Sequence, residues 1–136
     1  MRIVLDTNVF ISGVFFSGPP AEILKAWRDS LLQIVLSPSI LEEYRDVAES
    51  LSEKYPKIDI QPIIDLIMIY GEIVFAKDSA ELVCDDPDDD KFIECAIAGN
   101  CAIIVSGDKH LLRVSGHKGI TVLKPMEFVD SHLKKC

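Results

Sequence analysis

The chain has 136 residues, 49% hydrophobic and 26% charged, with 22 acidic against 14 basic side chains and a formal charge of -8. This composition excludes a disordered chain and predicts one domain over residues 1–136, large enough to bury about two-thirds of its unfolded surface without disulfide or metal staples. No apolar stretch reaches the ~20 residues of a membrane span, and the first residues run into a strand rather than a basic-then-apolar leader, so no membrane contact and a cytoplasmic location are expected.

Arg2-Ile3-Val4-Leu5-Asp6 is an apolar run closed by an acid and predicts a strand buried on both faces. Residues 7–13 follow as a loop or short helix. Gly18-Pro19-Pro20 punctuates the chain, and the spacing of Ile23, Leu24 and Trp27 predicts a helix over 21–30. Residues 31–36 read as a second strand. Ser37-Pro38-Ser39 opens a helix, with Ser39 and Glu42 spaced as a capping box and Ile40, Tyr44, Val47 and Leu51 on one stripe; it should end near Tyr55-Pro56. Residues 60–70 are helical and so apolar, at Ile63, Ile64, Leu66, Ile67, Met68 and Ile69, that burial on more than one side or a homodimer contact is expected.

A short strand is predicted over 72–76 and a helix over 88–98, stopped by Gly99-Asn100. The strongest strand covers 101–106, followed by a short helix (109–114), an edge strand (120–123) and a terminal helix (125–135). This alternation predicts a layered α/β domain with a mainly parallel sheet. Cys84, Cys95, Cys101 and Cys136 show neither Cys-x-x-Cys pairing nor zinc spacing; Cys95 and Cys101 are expected in the core and Cys136 as a free thiol.

Two acids, Asp6 and Asp108, end apolar strands, where ligands of open parallel sheets bind. Asp6 has two roles open to it, ligation of a metal or capping of the next turn, and the repeat of the arrangement at Asp108 favours ligation. Helical geometry turns Glu42 away from the apolar stripe and sets Glu43 at its border, facing the sheet edge. In Asp85-Asp86-Pro87-Asp88-Asp89-Asp90, Asp90 lies three and seven residues before Ile93 and Ile97, which makes it the best inward candidate; Asp88 is second, and Asp86 suits a solvated loop. A calcium loop starting at Asp86 fails, because Lys91 stands where glycine is needed and Ile97 where the bidentate glutamate belongs. Gly107 allows a close approach or a turn before Asp108, and His110 beside a lysine is expected to be solvated rather than a general base.

Several carboxylates hold Mg²⁺ or Mn²⁺ without saturating it, leaving room for water and phosphate oxygens, which is the chemistry of phosphodiester hydrolysis. The acidic balance opposes nucleic-acid binding unless a cation reverses the local sign, and Lys109, Arg113, Lys118, Lys124, Lys134 and Lys135 offer a basic rim. Asp6-Thr7-Asn8 lacks the Asp-x-Asp arrangement of a phosphatase nucleophile and no glycine-rich phosphate loop is present, which leaves a small-molecule phosphatase unsupported.

Asp6-Thr7-Asn8-Val9, Ser37-Pro38 with Glu43, Asp86-Pro87-Asp88-Asp89-Asp90-Lys91-Phe92 and Val105-Ser106-Gly107-Asp108-Lys109 resemble, in order and spacing, the PIN-domain ribonucleases. The resemblance implies a three-layer α/β/α sandwich and a Mg²⁺- or Mn²⁺-dependent endoribonuclease acting on single-stranded RNA. It implies that Asp6, Glu43, Asp90 and Asp108 are the catalytic metal ligands, supported by Asn8 and Ser106. The form of these motifs is most similar to the prokaryotic branch of toxins from toxin–antitoxin pairs, so an antitoxin partner is implied too. The alternative is a catalytically silent RNA- or protein-binding module of the same fold.

Overall fold

In the computed structural model, which describes residues 1–75 and 89–134, the first apolar run becomes β1 (Arg2–Leu5), with Ile3, Val4 and Leu5 wholly buried. It is the central strand. β2 (Gln33–Leu36) pairs with it on one side through Ile3 and Ile34, and β4 (Ile103–Val105) on the other through Val4 and Ile104. With β3 (Glu72–Ile73) and β5 (Thr121–Leu123) the sheet has the order β3-β2-β1-β4-β5, and every pairing is parallel. Parallel strands require crossovers, and here helices supply them: α1 (Thr7–Phe15), α2 (Pro19–Arg28), α3 (Pro38–Ser52), α4 (Gln61–Tyr70), α5 (Asp90–Ala98) and α6 (Lys109–Arg113). A four-residue α7 (Pro125–Phe128), continued by a π-helical turn over Val129–Leu133, follows β5. The result is the expected three-layer α/β/α sandwich, with a sheet that is wholly rather than mainly parallel.

The strand order fixes where a ligand can bind. The chain steps from β1 through β2 to β3, then crosses to the other side of β1 for β4 and β5, so the switch point lies between the carboxyl ends of β1 and β4. Parallel pairing places the helices that follow β1 and β2, and the start of the helix that leads into β4, at that same edge.

Several predicted boundaries move for local reasons. The helix after Ser37 is capped by Ser37 itself, whose hydroxyl accepts the Ile40 N–H at 3.3 Å, so the Ser39 and Glu42 capping box is incorrect. β2 starts at Gln33 rather than at residue 31 because Ser30 and Leu31 are used to end α2. Ser30 adopts φ 63, its N–H bonds Trp27 O, and the Leu31 N–H reaches back to Ala26 O, which is a Schellman closure. α5 ends in the same way, with Asn100 at φ 53 and the Cys101 N–H on Ala96 O. Asn100, not Gly99, therefore takes the left-handed position. Gly99 is required for a different reason: a Cβ there would lie 2.8 Å from Val35 Cγ1.

The core is continuous on both faces of the sheet. Tyr44 of α3 is fully buried, stacks on Phe10 of α1 with ring centroids 4.2 Å apart, and donates its hydroxyl to the Leu5 carbonyl at the end of β1. Cys95 and Cys101 are buried as expected, and burial, with Cys101 adding to it, pushes the Cys95 thiol up to about 12. Cys84 and Cys136 lie outside the described residues. In α4, Ile64 and Ile67 are buried and Ile63 and Leu66 half-buried, whereas Met68, Ile69 and Tyr70 stand exposed. The expected burial on more than one side is thus not reached within one chain. Leu66, Tyr70, Met1, Trp27 and Leu31 line a concavity of about 620 Å³ at the amino-terminal edge, opposite the switch point.

The two glycines beside the sheet should respond differently to a methyl group. Gly99→Ala is expected to lower stability by roughly 1–3 kcal/mol through its clash with Val35. Gly107→Ala, whose Cβ would meet nothing within 4 Å, should stay within about 0.5 kcal/mol of the parent in urea denaturation.

Candidate metal centre

β1 and β4 end side by side, and the residues just past their ends are joined by one hydroxyl. Asp6 follows β1, donates its backbone N–H to Val105 O at 3.0 Å, and is 6% exposed. Ser106, fully buried after β4, donates its hydroxyl to Asp6 Oδ2 at 2.6 Å and accepts the Asp108 N–H at 2.9 Å. Asp6 and Asp108 also cap the helices that follow them: Asp6 Oδ1 accepts the Asn8 N–H at 3.4 Å, and Asp108 Oδ1 accepts the His110 N–H at 2.7 Å. The capping role weighed for Asp6 is real. It does not compete with ligation, because a carboxylate offers about four lone-pair sites and capping engages one.

Glu43 arrives from α3. Its carboxylate accepts the Thr7 hydroxyl on one oxygen and pairs with Lys91 Nζ at 3.1 Å on the other, while Glu42 points into solvent. Helical geometry therefore separated the two glutamates correctly. Asp90 begins α5, whose inner face packs on β1, β2 and β4; it is 5% exposed, on the same buried side as Ile93 and Ala96, whereas Ile97, counted on that stripe from the sequence, is exposed. Because α5 runs into β4, its first turn sits at the carboxyl edge of the sheet. Asp85, Asp86 and Asp88 lie outside the described residues.

Like charges crowd this edge. Burial pushes the Asp6 carboxyl above its ordinary 3.8, and Asp108 and Glu43 push it further, against the lowering hydrogen bonds from Ser106 and the Asn8 backbone. The same neighbourhood reaches Tyr44, whose hydroxyl is raised well above its ordinary range by burial and then by Asp6, Cys95 and Glu43. Carboxylates held together in this way suit a hard divalent cation, which takes oxygen ligands and removes the repulsion.

The sequence pattern singled out neither Asp89 nor Lys91. Asp89 holds the N-cap position of α5 without a side-chain capping bond, and its carboxylate, that of Asp108 and the His110 ring offer ligand atoms all within 4.8 Å of one another. Counting from the helical stripe selected Asp90 and passed over its neighbour; the residue just before a helix that starts at a sheet edge was the available signal. Lys91 carries no signal beyond adjacency to Asp90. Asn8 is exposed and touches Asp6 through its backbone rather than its amide. The basic rim is divided: Lys109 and Lys124 are exposed at the carboxyl edge, but Lys118 lines a hollow beside Asn100 and Cys101 at the opposite edge, and Lys134 pairs with Asp130 at 3.9 Å. Lys135 lies outside the described residues.

The chain has recognisable relatives among known proteins. A family model described as a PIN domain matches residues 2–110, a span that contains Asp6, Glu43, Asp90 and Asp108. The uncharacterized protein MJ1680 of Methanocaldococcus jannaschii is 30% identical over 147 aligned positions, covering 98% of this chain and 93% of the relative.

The raised Asp6 pKa sets a pH dependence. The folded chain holds the Asp6 proton to higher pH than the unfolded one, so this stabilising contribution is present below pH 3.8 and is lost as pH rises through the folded value. Metal-free Asp6→Asn should therefore melt above the parent at pH 7, with the gap closing below about pH 4 in thermal denaturation. A variant less stable than the parent at pH 7 would show that ionised Asp6 is not under strain.

Proposed function

The chain belongs to the PIN-domain family, and from that premise we propose that it is a Mg²⁺- or Mn²⁺-dependent endoribonuclease that hydrolyses phosphodiester bonds in single-stranded stretches of RNA. The observation that carries this reading is the meeting of Asp6, Glu43 and Asp108 at one sheet edge, where the Ser106 hydroxyl bonds the Asp6 carboxylate and the Asp108 N–H, and Thr7, next to Asp6, bonds the Glu43 carboxylate. Asp6, Glu43, Asp90 and Asp108 are the proposed catalytic ligands, with Ser106 holding two of them in place and the Asn8 backbone N–H orienting the first. Asp88 keeps its place among the supporting candidates on sequence grounds alone.

When bound, a divalent ion of this class supplies activation of water and neutralises phosphate charge. The rest of the chemistry belongs to the chain. Ser106 holds the Asp6 carboxylate and anchors the Asp108 backbone, and Thr7 fixes one oxygen of Glu43. Lys91 already sits on the other oxygen as a tethered cation, and Lys109 and Lys124 give the acidic rim its attraction for a phosphate backbone. The overall charge of -8 then ceases to oppose RNA binding, because the ion changes the sign of the field where the backbone must approach.

Under the same proposal the chain acts as one domain over residues 1–136, in the cytoplasm, as the toxin partner of a cognate antitoxin. No described helix is long and apolar enough to cross a membrane. The exposed Met68, Ile69 and Tyr70 of α4 are the proposed homodimer contact. Static light scattering at high micromolar concentration should give twice the chain mass, and Ile69→Lys should return the mass of one chain; a parent that is monomeric throughout would reject the dimer.

The decisive experiment incubates purified protein with single-stranded RNA and Mn²⁺ or Mg²⁺. Cleavage should stop with EDTA and fall at least about 100-fold in Asp6→Asn and Asp90→Asn. Equal cleavage by parent and variants would assign the activity to a contaminant. Absence of Mn²⁺ binding at neutral pH would favour the silent binding module.

A further inference from the structure

The imidazole of His110 stands where a solvated residue was expected, among carboxylates and only partly exposed. Its Nδ1 lies 3.1 Å from Asp108 Oδ1 and 3.8 Å from Asp89 Oδ2. Three constraints keep it there. Its backbone N–H is bound to Asp108 Oδ1, α6 begins at the residue before it, and Ser106 fixes Asp108 from the other side. Asp89 comes from a separate element, α5, and turns its carboxylate toward this ring instead of capping its own helix with it. Two carboxylates and one imidazole from two elements therefore converge within the span of a single coordination sphere.

An all-oxygen set and a set containing one imidazole do not bind the same ions equally. Mg²⁺ demands oxygen ligands and releases water reluctantly, so a nitrogen donor adds little to its affinity. First-row transition ions accept imidazole readily and gain from it. We propose that His110 donates a ring nitrogen to the divalent ion held by Asp89 and Asp108, so that the centre takes a first-row transition cation in preference to Mg²⁺. The proposal rests on the metal-dependent reading above and adds to it a ligand, a partner acid and an ion preference.

The test uses Mn²⁺ alone, without RNA, on the full chain. Electron spin-echo spectroscopy of Mn²⁺ bound to the parent should show coupling to a directly ligated ¹⁴N nucleus, and the coupling should vanish in His110→Gln and His110→Asn. Calorimetric titration of the same proteins should show Mn²⁺ affinity falling about 10-fold or more, with Mg²⁺ affinity within about threefold of the parent. Thermal denaturation of each metal-free variant controls for folding, and the two replacements differ in length, so a collapse of one still leaves the other. Tight Mn²⁺ binding with no ¹⁴N coupling, or equal losses for both ions, would make His110 only a positioning residue for Asp108 and overturn the inference while leaving the nuclease reading intact. Failure of the parent to bind Mn²⁺ at all would overturn both.

Discussion

The Ser106 hydroxyl is the bond on which the carboxyl edge of the sheet depends. It gives its hydrogen to Asp6 and receives one from the Asp108 backbone, so the two acids are tied across the gap where β1 and β4 part. The hydroxyl thereby holds the buried Asp6 carboxylate against the start of the half-exposed Asp108 turn. A hydrogen bond to a charged acceptor is worth roughly 1.5–3 kcal/mol.

The opposite edge is built for permanence. There α2 and α5 end in matching Schellman closures, Gln33 hands its side-chain amide to the Tyr70 carbonyl at 2.7 Å, and Arg2 pairs with Glu72 across the strands. None of Asp6, Glu43, Asp90 and Asp108 lies there. The division follows from parallel topology, which gathers the turns that end helices and begin strands at one side and leaves the other side to residues that follow strands.

Much of this was legible in the residues themselves. Continuous apolar runs at 2–5 and 103–105 specify strands buried on both faces, and an acid at the end of each run marks the edge where they converge. The choice of Glu43 over Glu42 needed only the rotation of a helix. What the pattern did not disclose was tertiary: that Asp89 faces His110, that Lys91 reaches across to α3, and that residues 30–31 fold back on α2 rather than extend into β2. Each depends on which elements become neighbours, and periodicity within one element carries no information about its neighbour. His110 shows the limit well, since a histidine next to a lysine in sequence has an acid next to it in space.

Tyr44 follows Glu43 on α3, and its ring and hydroxyl are locked between Phe10 and the last carbonyl of β1. A tyrosine in the driest part of the interior therefore acts as a locating pin for a glutamate at the water's edge. The height and rotation of α3 are indexed to the peptide just before Asp6, so thermal wobble of the helix cannot be independent of the strand that carries the first acid. Precision at the mouth of the site is inherited from the molecule's stiffest region, and any drift in core packing over evolutionary time would be registered there as misalignment.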